Sequence, residues 1–266
     1  QGDVTLLSQW QLAIVGSRNP SPSGRDNAYA FARDLVSCGL AITSGLAMGI
    51  DAAAHRGAIA GLGKTVAVVG TGLDRVYPAK HRDLAHDIAE QGAIVSEFAL
   101  GTSPRAENFP RRNRLISGMS LGTLVVEAAL QSGSLITARM ALEQGREVFA
   151  MPGSIHNPLA KGCHRLIRDG AKLIETVDDI IEELGAMAAV DLSTDNNIAL
   201  SNDKLPPIDP EYQVLLACLG YDPIEIDKLI IESGLTAETV SSMLLLLELN
   251  GQVTSLSGGR YVRVGP

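Results

Sequence analysis

QLAIVGSRNPSPSG, residues 11–24, is an apolar run that breaks into glycine, serine and proline before an amphipathic stretch begins. The same change recurs along the chain. Further apolar runs are LAITSG (40–45), TVAVVG (65–70), AIVSE (93–97), GTLVVE (122–127), REVFAMPG (146–153) and AKLI (171–174). Between them the periodicity predicts helices near 22–38, 50–60, 80–91, 134–144 and 177–184, several closed by a glycine: Gly39, Gly61, Gly92 and Gly145. Strands apolar throughout, rather than alternating, suit a parallel sheet covered on both faces. The pattern is that of a doubly wound, mostly parallel α/β domain, in which ligands bind at the carboxyl ends of the strands.

The polar segment AVDLSTDNNIALSNDKLPP (189–207) ends in two prolines and reads as a linker. It divides an α/β domain, 1–188, from a tail, 208–266. The tail is predicted to hold helices at 210–219, 225–233 and 236–250, then strands around 252–256 and 260–264, joined through Gly258-Gly259. Three helices followed by a hairpin is the order of a small winged-helix domain. The charge divides at nearly the same place. Of the formal net charge of -8, residues 1–185 carry 18 Lys+Arg against 19 Asp+Glu, and the remainder 4 against 11. The acidity belongs to the tail, which leaves the first domain free to carry a local basic patch.

With 266 residues and 45% hydrophobic content, the chain can bury a substantial core. No apolar run approaches the ~18–20 residues of a membrane span, and there is no signal-peptide pattern, so no membrane role is expected. Cys38, Cys163 and Cys218 are scattered, odd in number and outside any CxxC or Cys/His cluster. They read as reduced thiols of a cytoplasmic protein, with no metal site. The start at Gln1 rather than Met leads to the expectation that an N-terminal part precedes it.

Four of the strand-edge segments are rich in glycine and serine: Gly16 and Ser17 after the first strand, Ser44 and Gly45 after the second, Gly70 and Gly72 after the third, and Ser132-Gly133-Ser134 before the helix at 134. Glycine lets backbone amides approach an anion, and helix N-termini offer unpaired N–H groups. Together they predict phosphate binding along one edge. A dinucleotide fingerprint is not met, because GSRNPS lacks the second glycine and GTGLDR the third. AIAGLGKT (58–65) imitates a P-loop, but a helix precedes it and a strand follows, the reverse of the P-loop order. No cofactor is expected.

The same edge gathers cations. Arg18 follows Gly16-Ser17, and Lys80 and Arg82 lie near Tyr77. RAENFPRRNRLISG (105–118) crowds Arg105, Arg111, Arg112 and Arg114 around Phe109, with Asn108 and Asn113 between. Pro110 and the two asparagines argue against simple helix, so the expectation is a loop whose arginines act as exposed charge and add little to packing. Separated cations with two aromatic rings fit a polyanion whose bases can stack.

These residues resemble the DNA-processing protein A (DprA/Smf) family. The match spans about 10–185 through VGSR, SGLAMGIDAAAHRGA, VVGTGLDRVYP, NFPRRNRLISG, SGSLITARMALEQGREVFAMPGS and GCHRLIRDGAKLI. The resemblance implies an extended Rossmann domain that binds single-stranded DNA, forms a homodimer and helps load the RecA recombinase during natural transformation. It places the DNA-contacting arginine on Arg18 and further basic contacts on Lys80, Arg82, Arg111, Arg112 and Arg114. His81 stands where the family often has asparagine. The dimer is expected around CHRLIRDGAKLI (163–174), where Leu166, Ile167 and Leu173 lie beside a short final strand. The winged-helix tail resembles one many members carry, but its presumed recognition helix has no Lys or Arg, which argues against duplex reading.

One enzymatic alternative is a nucleotide phosphoribohydrolase of the lysine decarboxylase-like type. The stretch SGMSLGTLVVE lacks the PGG of that group and sets Glu127 one residue too far, so Glu127 is expected to orient loop groups. No catalytic residue is assigned. A transcription regulator reading duplex DNA through its wing is a third possibility, opposed by the acidity of the tail.

Overall fold

Strand β1 (Gln11–Val15) is buried along its whole length. Leu12 and Ile14 join one apolar cluster with Leu35, Leu124 and Phe149, while Ala13 and Val15 join another with Ile116, Ala138 and Cys163. Both faces are therefore covered, which is why the run shows no polar alternation. This computed structural model describes residues 1–192, 210–219, 224–249, 253–256 and 259–263. The chain divides into two units, Gln1–Asn196 and Asn197–Pro266.

In the first unit seven strands alternate with helices: β1, α1 (Pro22–Ser37), β2 (Ala41–Ser44), α2 (Ile50–Ala60), β3 (Thr65–Val68), α3 (Arg82–Gln91), β4 (Ala93–Val95), α4 (Asn108–Gly118), β5 (Gly122–Val125), α5 (Ser134–Glu143), β6 (Glu147–Ala150), α6 (Lys161–Arg168), β7 (Lys172–Leu173) and α7 (Val177–Leu192). The strands pair in the order β4-β3-β2-β1-β5-β6-β7, all parallel. Winding reverses between β1 and β5, whose register runs from Leu12↔Gly122 to Val15↔Val125. This is the switch point at which such sheets open a crevice.

All seven predicted strands are present, and α1 starts as its sequence dictates. Pro22 sits in the first turn and the Ser21 hydroxyl accepts from the Gly24 amide at 3.0 Å. Two helices were not anticipated. Pro110 is only the third residue of α4, where no intrahelical N–H is lost. Helix α6 packs closely enough that a Cβ on Gly162 would meet the Ala128 carbonyl at 2.4 Å. Helix α7 runs to Leu192, so the first residues of the expected linker are helical, and 193–207 lies outside the described residues.

The second unit has the winged-helix order: α8 (Pro210–Cys218), β8 (Ile224–Glu225), α9 (Ile226–Ser233), α10 (Ala237–Leu249), β9 (Val253–Leu256) and β10 (Arg260–Arg263). Its strands pair antiparallel as β8-β10-β9, the two-residue β8 being an addition to the expected hairpin. Leu215, Leu229, Val240, Met243, Leu244 and Leu247 form its core. The exposed positions of α10 include Glu238, Ser241, Ser242, Leu245 and Leu246.

Within the first unit, His55 of α2 is fully buried. The Thr65 hydroxyl donates to the Ile42 carbonyl, so the 2.7 Å contact between His55 Nδ1 and that hydroxyl has the ring N–H as donor. Nε2 is then the unprotonated nitrogen, and it has no partner among the described residues. Burial pushes the imidazole down to about 3, and repulsion from His81, Arg112 and Arg56 acts in the same direction. The folded value lies below the ordinary one near 6.5, so the unfolded chain takes up this proton first as pH falls. Its contribution is complete above about pH 6.5 and declines by about 1.4 kcal/mol per unit towards pH 3. We expect about 2 kcal/mol of stability to be lost through His55 at pH 5. Urea unfolding at pH 7 and pH 5 should show a smaller difference in His55→Asn than in the wild type, whatever the absolute stability of the variant.

Candidate nucleic-acid interface

The carboxyl ends of parallel strands leave carbonyls that need donors. Two of them are met by Arg112, which α4 projects into the sheet edge. Nη1 donates to the carbonyl of Gly45 at 2.9 Å, just past β2, and also to that of Val68, the last residue of β3. Beside it Asp51, in the first turn of α2, accepts from the amides of Gly45 at 3.1 Å and Ala47 at 3.3 Å. Gly45 lies between the two charges; a Cβ there would sit 2.7 Å from both the guanidinium and the carboxylate. Burial lowers Arg112 to about 10, against the pull of Asp51, so it stays cationic at neutral pH. Burial also raises Asp51, with Arg112 and the two amides opposing. A second tie holds the start of α4, where Asn108 Nδ2 donates to the Gly70 carbonyl at 3.0 Å.

The expectation of a loop bearing exposed arginines is thus corrected at Arg112. The segment is helical and Arg112 is 4% exposed. Arg105, Arg111 and Arg114 are exposed. The physical reason is the strand-end carbonyls, which a short loop side chain would leave unsatisfied.

A crevice of about 460 Å³ opens between the ends of β1 and β5. It brings together Gly16, Ser17, Arg18, Phe109, Arg112, Asn113, Ser132, Gly133 and Ser134. Arg18 is exposed, with no carboxylate in ion-pair reach among the described residues, and its guanidinium stands 5.7 Å from the centre of the Phe109 ring. Tyr77, 48% exposed, lies 5.6 Å from the same ring, tilted by 38°. Gly70 abuts Phe109 so closely that a Cβ would meet the ring at 3.0 Å. The rim therefore carries a cation and two rings, and its wall the N-terminal end of α5 with the hydroxyls of Ser132 and Ser134.

Other expected residues turn inward. The Ser44 hydroxyl donates to the Ile14 carbonyl at 2.6 Å, the Gly45 amide is taken by Asp51, and the Gly72 amide by the Thr102 carbonyl at 3.0 Å. His81 is buried, with Nδ1 3.0 Å from the Leu46 carbonyl. Arg82 lines a separate cavity with Asp74, Arg75 and His86, and Lys80 is exposed on the turn Ala79–His81. Arg105 lies 3.9 Å from Glu107. Across α4, Arg114 pairs with Glu97, and the Arg111 guanidinium stands 5.9 Å from the Phe98 ring. Asp51 and Phe98 were not singled out from the sequence. The signal for Asp51 is an acidic residue in the first turn of a helix behind SGLAMGI.

Glu127 has a similar internal task. Its two carboxylate oxygens accept from the Ser21 amide at 2.9 Å and the Ser21 hydroxyl at 2.6 Å, at the N-terminus of α1. A Cβ on Gly24 would come within 2.4 Å of that carboxylate. Near the far edge of the sheet, Leu166 and Ile167 pack against the cluster under α6. Ile167 and Leu173 also line an open groove of about 580 Å³ with Leu130 and Ile155, rimmed by Lys161, His164 and Arg168.

Residues 1–185 match the family described as DNA recombination-mediator protein A, and 200–259 the DprA winged helix domain. Protein Smf of Escherichia coli (strain K12) is 45% identical over 265 residues, covering 99% of this chain and 70% of that protein. The X-ray structure of DNA processing protein A from Streptococcus pneumoniae superposes with a TM-score of 0.66 at 44% identity, over 69% of this chain and 64% of that one. DNA processing protein A from Helicobacter pylori, whose structure gives insight into a single-stranded DNA binding mode, superposes with a TM-score of 0.64 at 30% identity, over 70% of this chain and 85% of that one.

Two arginines of this site are expected to behave oppositely. Arg112→Ala removes the donor of two buried carbonyls and the cation beside Asp51, and should cost about 3–5 kcal/mol. Arg18→Ala removes an exposed side chain and should stay within about 0.5 kcal/mol of wild type. Denaturant unfolding of both variants measures the contrast.

Proposed function

The chain belongs to the DNA recombination-mediator protein A family, and from that premise we propose that it binds single-stranded DNA along the crevice and rim just described. The observation that carries this is the meeting of Arg18, Phe109 and Tyr77 above the serine-lined start of α5 at the switch point. Guanidinium groups and amides follow phosphates without reading sequence, and rings accept any base by stacking. Arg111 extends the cationic surface onto α4, while Arg105 and Arg114 stand beside carboxylates, Glu107 and Glu97.

A nucleotide-hydrolysing reading finds less support. Glu127 spends both oxygens on Ser21, and Asp51 takes the amides of the loop after β2. Two places where a nucleotide phosphate would sit thus hold carboxylates of the protein itself. These internal bonds favour a binding role over hydrolysis.

Family membership further supports a role in natural transformation, with RecA as the partner for which the bound strand is prepared. For a homodimer the support is physical as well. β7 is a two-residue edge with both residues exposed, and beside it Ile167, Leu173, Leu130 and Ile155 give a groove an apolar stretch that a second copy would cover. For the winged-helix unit we favour a protein-contacting role, since the exposed positions of α10 named above offer carboxylate, hydroxyl and leucine and no cation. Among the described residues no single helix is long and apolar enough to cross a membrane.

Gel shifts with single- and double-stranded oligonucleotides of one length should favour the single strand. Arg18→Ala should weaken it for any sequence and flatten the log–log salt slope by about 0.7; equal affinity for both forms would overturn the reading. Ile167→Glu should yield a monomer by light scattering, and an unchanged mass would move the interface elsewhere.

A further inference from the structure

The chain has four phenylalanines. Phe31 and Phe149 belong to the core. Phe98 and Phe109 belong to no apolar cluster among the described residues, are both half-buried, and each lies under an arginine. Phe109 with Arg18 is the rim already described. Phe98 with Arg111 repeats that chemistry elsewhere.

Both pairs depend on α4, from different sides. Positions 109 and 111 differ by about 200° around a helix. Accordingly Phe109 meets Arg18, Gly70 and Tyr77, whereas Arg111 reaches the segment that follows β4. That segment is held without help from the Phe98 ring. The Phe98 amide donates to the Ser96 hydroxyl at 3.1 Å, which donates to the Thr71 carbonyl at 2.6 Å. Glu97 pairs with Arg114, one turn beyond Arg111 on the same stripe of α4. The backbone is pinned on the N-terminal side of Phe98, and the ring is left half-buried against a guanidinium.

We infer that Phe98 and Arg111 form a second base-stacking platform, so that a single strand leaving the crevice crosses the start of α4 and sets a later base there. The inference rests on the single-strand reading above and adds to it a direction and a second anchor. A guanidinium plane and an aromatic face both stack on any base. Glu97, adjacent and negative, is neutralised by Arg114, so the path across α4 is not blocked by an unpaired carboxylate.

The test uses the full chain and oligothymidylates from about 4 to about 16 nucleotides, with fluorescence anisotropy as the readout. Wild-type affinity should rise stepwise once the strand is long enough to reach Phe98. Phe98→Leu keeps an apolar side chain but removes the flat ring. It should lose that step, about 5- to 150-fold, while binding the shortest strands as wild type does and melting at an unchanged temperature. Phe98→Trp should restore the step. Wild-type binding by Phe98→Leu at every length would overturn the platform. So would a lowered melting temperature with uniform loss at all lengths, which would assign the ring to packing. A wild-type chain that binds none of the strands would instead overturn the single-strand reading itself.

Discussion

A guanidinium drawn almost wholly out of water sets the geometry at the carboxyl edge of this protein's sheet. Arg112 reaches from α4 to the ends of β2 and β3 and satisfies a carbonyl at each. Such burial is costly, and it is offset here by hydrogen bonds to carbonyls that would otherwise be orphaned and by Asp51 close by. The result is a helix fixed across the mouth of a parallel sheet. Every ring and exposed arginine carried by α4 takes its position from that tie and from the second one, Asn108 to Gly70.

The same sheet edge shows a Rossmann-like frame that fills two of its helix N-termini from within. Strand order and switch point are those that elsewhere cradle a pyrophosphate. Here Glu127 caps α1 through Ser21, and Asp51 fills the turn ahead of α2. The protein's own carboxylates answer the partial positive charge that a phosphate would otherwise seek. What is left open is the outer rim, where arginines stand against rings, a surface suited to something long and flexible.

Much of this was legible in the sequence. The seven strands were, because buried parallel strands are written as unbroken apolar runs. So were the Ser21-Pro22 start of α1, the winged-helix order and the gathering of Gly16, Arg18, Phe109 and Ser132–Ser134 on one edge. α4 was not, because Pro110 reads as a breaker until it is known to occupy the first turn. Arg112 could not be told from Arg111 or Arg114 by composition; only the position of the strand ends decides which of the three turns inward. Ser44 and Gly45 looked like phosphate binders because the sequence shows free donors and not the partners that consume them, Ile14 and Asp51.

The pairing of β1 with β5 carries a consequence for biosynthesis. β1 pairs with β2, its nearest strand in sequence, but the crevice exists only when Leu12 to Val15 find Gly122 to Val125, and its far wall only when Ser132–Ser134 have begun α5. Contacts so distant along the chain form late, after much of the loop-closing entropy has been spent. While the chain is emerging from the ribosome, Arg18 and the early glycine turns are therefore scattered surface features without a shared edge. The crevice needs Arg18 and Ser132–Ser134 together, so no nascent chain that ends before α5 can carry it whole.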